Sequence, residues 1–135
     1  MSENNPKSII LYYFSSSELL SHKEHALEKI SETLDTFIQN KDKISVIWYH
    51  NPHLDEILNS KIPDIYQKYL NLENLFEKNN LGVLIKDSDK EDSIISQCNA
   101  YYGSGGYLAT SCSNAGLPVM IQDISTMSYL QRNQQ

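Results

Sequence analysis

Residues 103–107 read Gly-Ser-Gly-Gly-Tyr and stand directly before a helix-forming run. Glycine permits both a tight turn and close approach of a ligand to the backbone. Backbone N–H groups at a helix start favour an anion, and the helix dipole adds to that preference. A diphosphate is the ligand this chemistry suits, and it needs no lysine. An ordinary strand-to-helix turn has the same composition, so Gly103, Ser104, Gly105, Gly106 and Tyr107 become candidates through their placement. Ser15, Ser16 and Ser17 offer hydroxyls and N–H groups after an apolar run. Three serines equally make a generic polar turn. A third group is Tyr49-His50-Asn51-Pro52-His53. Tyr49, His50 and Asn51 could stack on a base or hydrogen-bond a ribose, and His50 or His53 could act as a general base. The alternative is a polar loop with solvated histidines. The HxxH spacing lacks a third ligand, because His22 and His25 belong to another element, so no metal site is expected. Asp123 ends the last apolar run, where it could bond a sugar hydroxyl or cap the following turn.

Other catalytic patterns are missing. There is no Gly-x-Ser-x-Gly elbow, no Walker lysine in "GSGGYL" and no Gly-x-Gly-x-x-Gly fingerprint. Tyr101 and Tyr102 are adjacent in a strand, so they point to opposite faces and read as core.

The elements that would position these groups alternate along the chain. "SIILYYF" (8–14), "ISVIWY" (44–49) and "LGVLI" (81–85) are continuous apolar runs, the signature of strands buried on both faces. "NAYYG" and "PVMIQDI" read as a fourth and a fifth strand. Between them lie helical patterns. Ser21 with Glu24 resembles a capping box, ahead of Leu27, Ile30, Leu34, Phe37 and Ile38 at helical spacing. Pro63 suits a helix first turn, with Ser60 or Lys61 just outside, and Ile65, Tyr69, Leu72 and Phe76 form the next stripe. Ile94, Ile95 and Cys98 lie inward on a short helix. Leu108, Cys112 and Ala115 share a face of the last, which Gly116 and Pro118 end. Five strands alternating with helices predict an α/β fold, a parallel sheet with helices on both faces and right-handed crossovers. Ligands of such sheets sit beyond the carboxyl ends of the strands, where strand order reverses.

Size and charge narrow the function. The chain has 135 residues and is 40% hydrophobic, enough for one core. Residues 1–6 read as a flexible leader, 7–125 as a single ligand-binding domain and 126–135 as a polar tail. The net charge of -6 argues against a nucleic-acid-coating surface. No apolar run approaches the roughly 20 residues of a membrane span, and "MSENNPKS" lacks the apolar core of a signal peptide. Cys98 and Cys112 have no CxxC spacing and read as reduced thiols of a cytoplasmic protein.

With these segments placed, "VIWYHNPHL" and "CNAYYGSGGYLATSCSNAGLPVMIQDI" resemble the C-terminal half of GT-B glycosyltransferases, nearest to the bacterial CDP-glycerol glycerophosphotransferase-like group. The likeness spans about residues 7–124 and is most specific over 98–124. It implies a three-layer Rossmann-like sheet of five parallel strands in the order 3-2-1-4-5. It also implies that this half binds the donor's nucleotide diphosphate, while a separate N-terminal half, absent here, carries the acceptor. The loops at Ser15–Ser17 and Gly103–Gly106 would then face each other across the switch point. The motifs depart from the pattern in two places. Where the group typically has Trp-Arg-Pro-His-Pro, Trp48 and Pro52 match, but Tyr49, His50 and Asn51 replace the middle three. Where an aspartate usually stands between the turn glycines, this chain has Ser104.

Transfer of a glycosyl or glycerophosphoryl group develops charge on the leaving diphosphate, which enzymes stabilise with arginine, lysine, histidine or a metal. The one arginine, Arg132, lies in the tail, and the basic residues expected nearest the site are two histidines. The expectation is therefore a catalytically silent protein that holds a nucleotide or nucleotide-sugar-like molecule and requires no cofactor. Sequestering a nucleotide signal, as compact phage-encoded anti-defence proteins do, is one role that fits small size and a retained pocket. The alternatives are a truncated or split transferase needing a partner chain, and an interaction module without a ligand. Single-domain size and exposed helices also fit a homo-oligomer.

Overall fold

The computed structural model describes residues 7–122. The expected leader, the polar tail and Asp123 lie outside the described residues. Within them, β1 (Ser8–Tyr13), β2 (Ile44–Tyr49), β3 (Gly82–Ile85), β4 (Ala100–Gly103) and β5 (Val119–Ile121) form one sheet in the order β3-β2-β1-β4-β5. Every pairing is parallel. The fold is thus the α/β, Rossmann-like architecture expected from the alternation of elements.

The period-2 geometry of strands divides the core into two layers. Tyr12, Val46 and Trp48 point to one face, where they meet α1 (Ser16–Gln39), α2 (Leu54–Lys61) and α3 (Pro63–Lys78) through Leu27, Ile30, Leu34, Phe37, Leu58, Ile65, Tyr69 and Phe76. Leu11, Ile47, Tyr49 and Tyr101 point the other way, onto α4 (Glu91–Gln97) and α5 (Tyr107–Asn114) through Ile94, Leu108, Ala109 and Cys112. Helices therefore cover both faces. Cys98 and Cys112 are both buried and free, and burial pushes the Cys98 thiol up to about 11, so it is an inert core residue.

Two local expectations are corrected and a third is refined. The helix expected to open at Ser21–Glu24 starts earlier, at Ser16, with Ser15 as its N-cap. The expected boundary survives as a break at Lys23, whose φ of 48° and ψ of -113° are non-helical. Pro63 opens α3 with Ser60 and Lys61 outside it, as expected, but those two form the last turn of a separate helix, α2, and Ile62 is the residue that caps α3. On α5 the buried face is Leu108, Ala109 and Cys112, while Ala115 is the exposed C-cap.

Candidate active edge at the strand carboxyl ends

The register lines up the strand ends. Ile85, Tyr49, Tyr13, Gly103 and Ile121 are Cα partners in a single row across the five strands. The segments that follow them therefore emerge along one edge. They carry Lys86, His50–His53, Ser15–Ser17, Ser104–Tyr107 and Gln122. Strand order reverses between β1 and β4, which are neighbours although α1, β2, α2, α3, β3 and α4 separate them in sequence. The Ser15–Ser17 and Gly103–Tyr107 segments consequently meet at the switch point.

Their contact is specific. Ser104 Nα donates to Tyr13 O (2.8 Å), extending the β1–β4 ladder by one bond. Ser15 Nα donates to Ser104 Oγ (3.0 Å), and Ser104 Oγ donates in turn to Glu18 Oε1. Ser15 Oγ accepts from Glu18 Nα (3.2 Å) and lies 3.2 Å from Ser17 Oγ. Ser15 and Glu18 stand at the N-cap and N3 positions of α1, the spacing of a capping box, in which the N3 side chain would bond the N-cap N–H. Here the Ser104 hydroxyl is inserted between the two. Ser104 is only 2% exposed, so this hydroxyl is a structural clamp between β4 and α1. It presents no free group to a ligand. Tyr101 Oη closes the turn by donating to Ser104 O.

Glycine is required at two points of the turn. Gly103 has φ 146°, and a Cβ there would lie 2.0 Å from Tyr13 O, because the two strands press backbone on backbone. Gly106, the N-cap of α5, has φ 136°. No side chain among the described residues caps α5, and Gly105, Gly106 and Tyr107 are all exposed. The helix start is therefore open, as an anion site requires.

Tyrosine hydroxyls border it. Tyr49 Oη and Tyr107 Oη both donate to Glu91 Oε2, at 2.7 Å and 2.5 Å. Burial, and then the bond to that carboxylate, raise both phenols above the ordinary tyrosine range. They act as neutral donors. Tyr13 packs on Tyr49 with ring centroids 5.9 Å apart. Although Tyr107 is 59% exposed, its hydroxyl is already engaged. Glu18 and Glu91, neither of which the sequence reading placed at this site, put carboxylates next to Ser104 and Tyr107 at the α5 start. Each lies many residues from its partners, at 86 positions for Ser104–Glu18 and 42 for Tyr49–Glu91. Only the alternation of strands and helices could have hinted at their meeting.

The β2 loop divides its groups. His50 is 1% exposed and turns inward between Trp48 and Tyr69, with the Tyr69 hydroxyl 2.8 Å from Nδ1. The ring therefore does not reach the edge. Burial, followed by the Lys86 charge, pushes it down to about 3, so it is neutral at pH 7 and a poor proton acceptor. Asn51 Oδ1 accepts from His53 Nα (2.8 Å) and shapes the loop. His53 is exposed and pairs with Glu56 on α2 (3.3 Å). A cation not placed at this edge from sequence, Lys86, lies just after β3. It is committed to Asp55 (2.9 Å) and Glu73 (3.7 Å).

A groove of about 590 Å³ runs between α1 and the strip of β4 and β5 and touches this edge at Gln122. Thr33, Phe37, Tyr102 and Met120 line it. It is mostly apolar and contains no helix start, so its size does not make it the better anion site. No group of three or more His, Cys, Asp or Glu side chains among the described residues could hold a metal ion. No helix there is long and apolar enough to cross a membrane.

The chain matches no protein-family model, no curated protein and no solved structure.

Proposed function

We propose that the chain is a small-molecule binding protein that holds a nucleotide-sugar-like ligand at the β1–β4 switch point and returns it unchanged. The observation that carries this reading is the open N-terminus of α5, with two exposed glycines in front of it, at the place where strand order reverses. Backbone N–H groups and the helix dipole would take the phosphate. Glu18 and Glu91 repel an anion set directly against them. They suit the hydroxyls of the sugar portions, so the phosphate belongs over Gly105–Leu108 and the sugars on the flanks.

The chemistry of the edge favours holding over transfer. His50 is buried and neutral, Lys86 is spent on two carboxylates, and Tyr49 and Tyr107 keep their protons. None of these groups stabilises a leaving diphosphate. The test is a thermal-shift panel of nucleoside diphosphates and nucleotide sugars, followed by chromatography of the recovered ligand. A ligand at 100 times its Kd stabilises by about 2.7 kcal/mol. At least one nucleotide sugar is expected to raise Tm and to be recovered intact. A panel without any shift refutes binding, and conversion of the ligand refutes silence.

A further inference from the structure

Behind the candidate edge, four elements bring proton-bearing side chains to one point. His50 comes from the end of β2, Asp55 from α2, Tyr66, Tyr69 and Glu73 from α3, and Lys86 from the end of β3. His50 Nδ1 lies 3.3 Å from Glu73 Oε2, and Lys86 Nζ lies 2.9 Å from Asp55 Oδ2 and 3.7 Å from Glu73 Oε1. Glu73 is 8% exposed at its side chain. Its Oε2 and Asp55 Oδ1 have no hydrogen-bond partner among the described residues. The loop Asn51–His53 is strung between two members of this cluster, His50 directly before it and Asp55 in the first turn of α2 after it. His50 Nα is also pinned to Ile85 O (2.8 Å).

We propose that this cluster is a proton-operated pivot for the β2–α2 loop: the charge on Glu73 decides how firmly Lys86 holds Asp55, and so where Asn51 and His53 stand. It does not depend on the ligand reading, because it concerns the loop alone.

With Glu73 protonated, Lys86 and Asp55 form one balanced pair. Once Glu73 ionises, two carboxylates compete for one ammonium in a poorly solvated region, where an uncompensated charge is costly. Burial pushes the Glu73 carboxyl up to about 7, with Lys86 opposing and Asp55 and Glu77 adding to the rise. The other members cannot absorb the change. His50 is held down to about 3, and burial raises Tyr66 and Tyr69, so all three keep their neutral forms through the neutral range.

The experiment is a pH titration of the backbone amide NMR shifts of Asn51, Leu54 and Asp55. It uses His53→Gln protein, which removes the remaining imidazole of the loop. A sigmoid with midpoint near 7 is expected, and it disappears when Glu73→Gln is added. Asp55→Asn in the same background moves the midpoint down and Lys86→Met moves it up. These shifts keep the test valid if the Glu73 variant folds poorly, and a purely structural role would not produce them. Flat titrations, or a midpoint that none of the three substitutions alters, overturn the proposal.

Discussion

Replacing Ser104 with alanine removes one hydroxyl that serves two partners. Ser15 Nα loses its acceptor, and Glu18 loses its donor. The site is 2% exposed, so water cannot take over without a rearrangement of the turn. A partly buried N–H left without a partner costs roughly 1–2 kcal/mol, and a hydrogen bond to a charged group is worth about 1.5–3 kcal/mol. The same oxygen makes both bonds, and half-buried Glu18 regains some hydration, so the expected loss is about 3 kcal/mol. At roughly 3–4 °C per kcal/mol for a chain of this size, Tm falls by about 10 °C. Urea unfolding measures the loss directly, with the slope m expected to stay constant. Ser104→Asp sharpens the test, because it sets a second carboxylate against Glu18. It is expected to be less stable than Ser104→Ala at pH 7, to recover as pH falls through the carboxylate range, and to be partly rescued by Glu18→Gln. A Ser104→Ala protein within ~0.5 kcal/mol of the wild type, the range of ordinary surface changes, would refute the clamp.

Other outcomes follow from the same geometry. Gly103→Ala puts a Cβ 2.0 Å from Tyr13 O, and urea unfolding should show a loss larger than that of Ser104→Ala. Gly105→Trp should leave the fold nearly as stable, since a Cβ at this exposed position meets only the Ile121 side chain at 3.7 Å, yet it should abolish the nucleotide-dependent rise in Tm by covering the α5 start. His50 is held from 6.5 down to about 3; the stability of its neutral buried form is complete above 6.5 and is lost as pH falls through that interval, by up to roughly 5 kcal/mol. Melting curves of Glu73→Gln protein from pH 7 to 4 should show this acid limb, and it should be absent once His50→Phe is added. Glu73 has the opposite sign, since its raised carboxyl makes the fold less stable as pH rises from 4.5 to about 7. Between pH 4.5 and 6.5 the two slopes oppose each other, so Glu73→Gln should uncover the acid limb of His50 in that part of the melting profile.

The fold was legible because each strand is an unbroken apolar run and each intervening helix carries a stripe. "SIILYYF" and "ISVIWY" cannot alternate inside and outside, so they had to be covered on both faces. Gly103, Gly106 and Gly116 marked real backbone demands, and all three have positive φ. The start of α1 was misplaced because Ser15-x-x-Glu18 and Ser21-x-x-Glu24 carry the same capping signal. Only the packing of Ser104 against the first pair selects it. The role of Ser104 was hidden for the same reason: a serine between glycines looks like a ligand group until its strand neighbour is known. His50 followed a strand as expected, but burial by Trp48 and Tyr69 turned it inward, a long-range effect without a local sequence mark. Glu73 is the clearest case. It sits beside the stripe of Ile65, Tyr69 and Phe76 and was not marked from the sequence. It is buried because β2 and β3 bring His50 and Lys86 over it.

The most direct measurement incubates wild-type and Gly105→Trp protein with a mixture of nucleotide sugars, removes free ligand, denatures the protein and identifies the released molecules by mass spectrometry. The wild type should release an intact nucleotide-type compound in near-stoichiometric amount, and the variant none. Equal retention by both proteins, or no phosphate-bearing compound from the wild type, contradicts the assignment of the switch-point turn as a nucleotide-holding site.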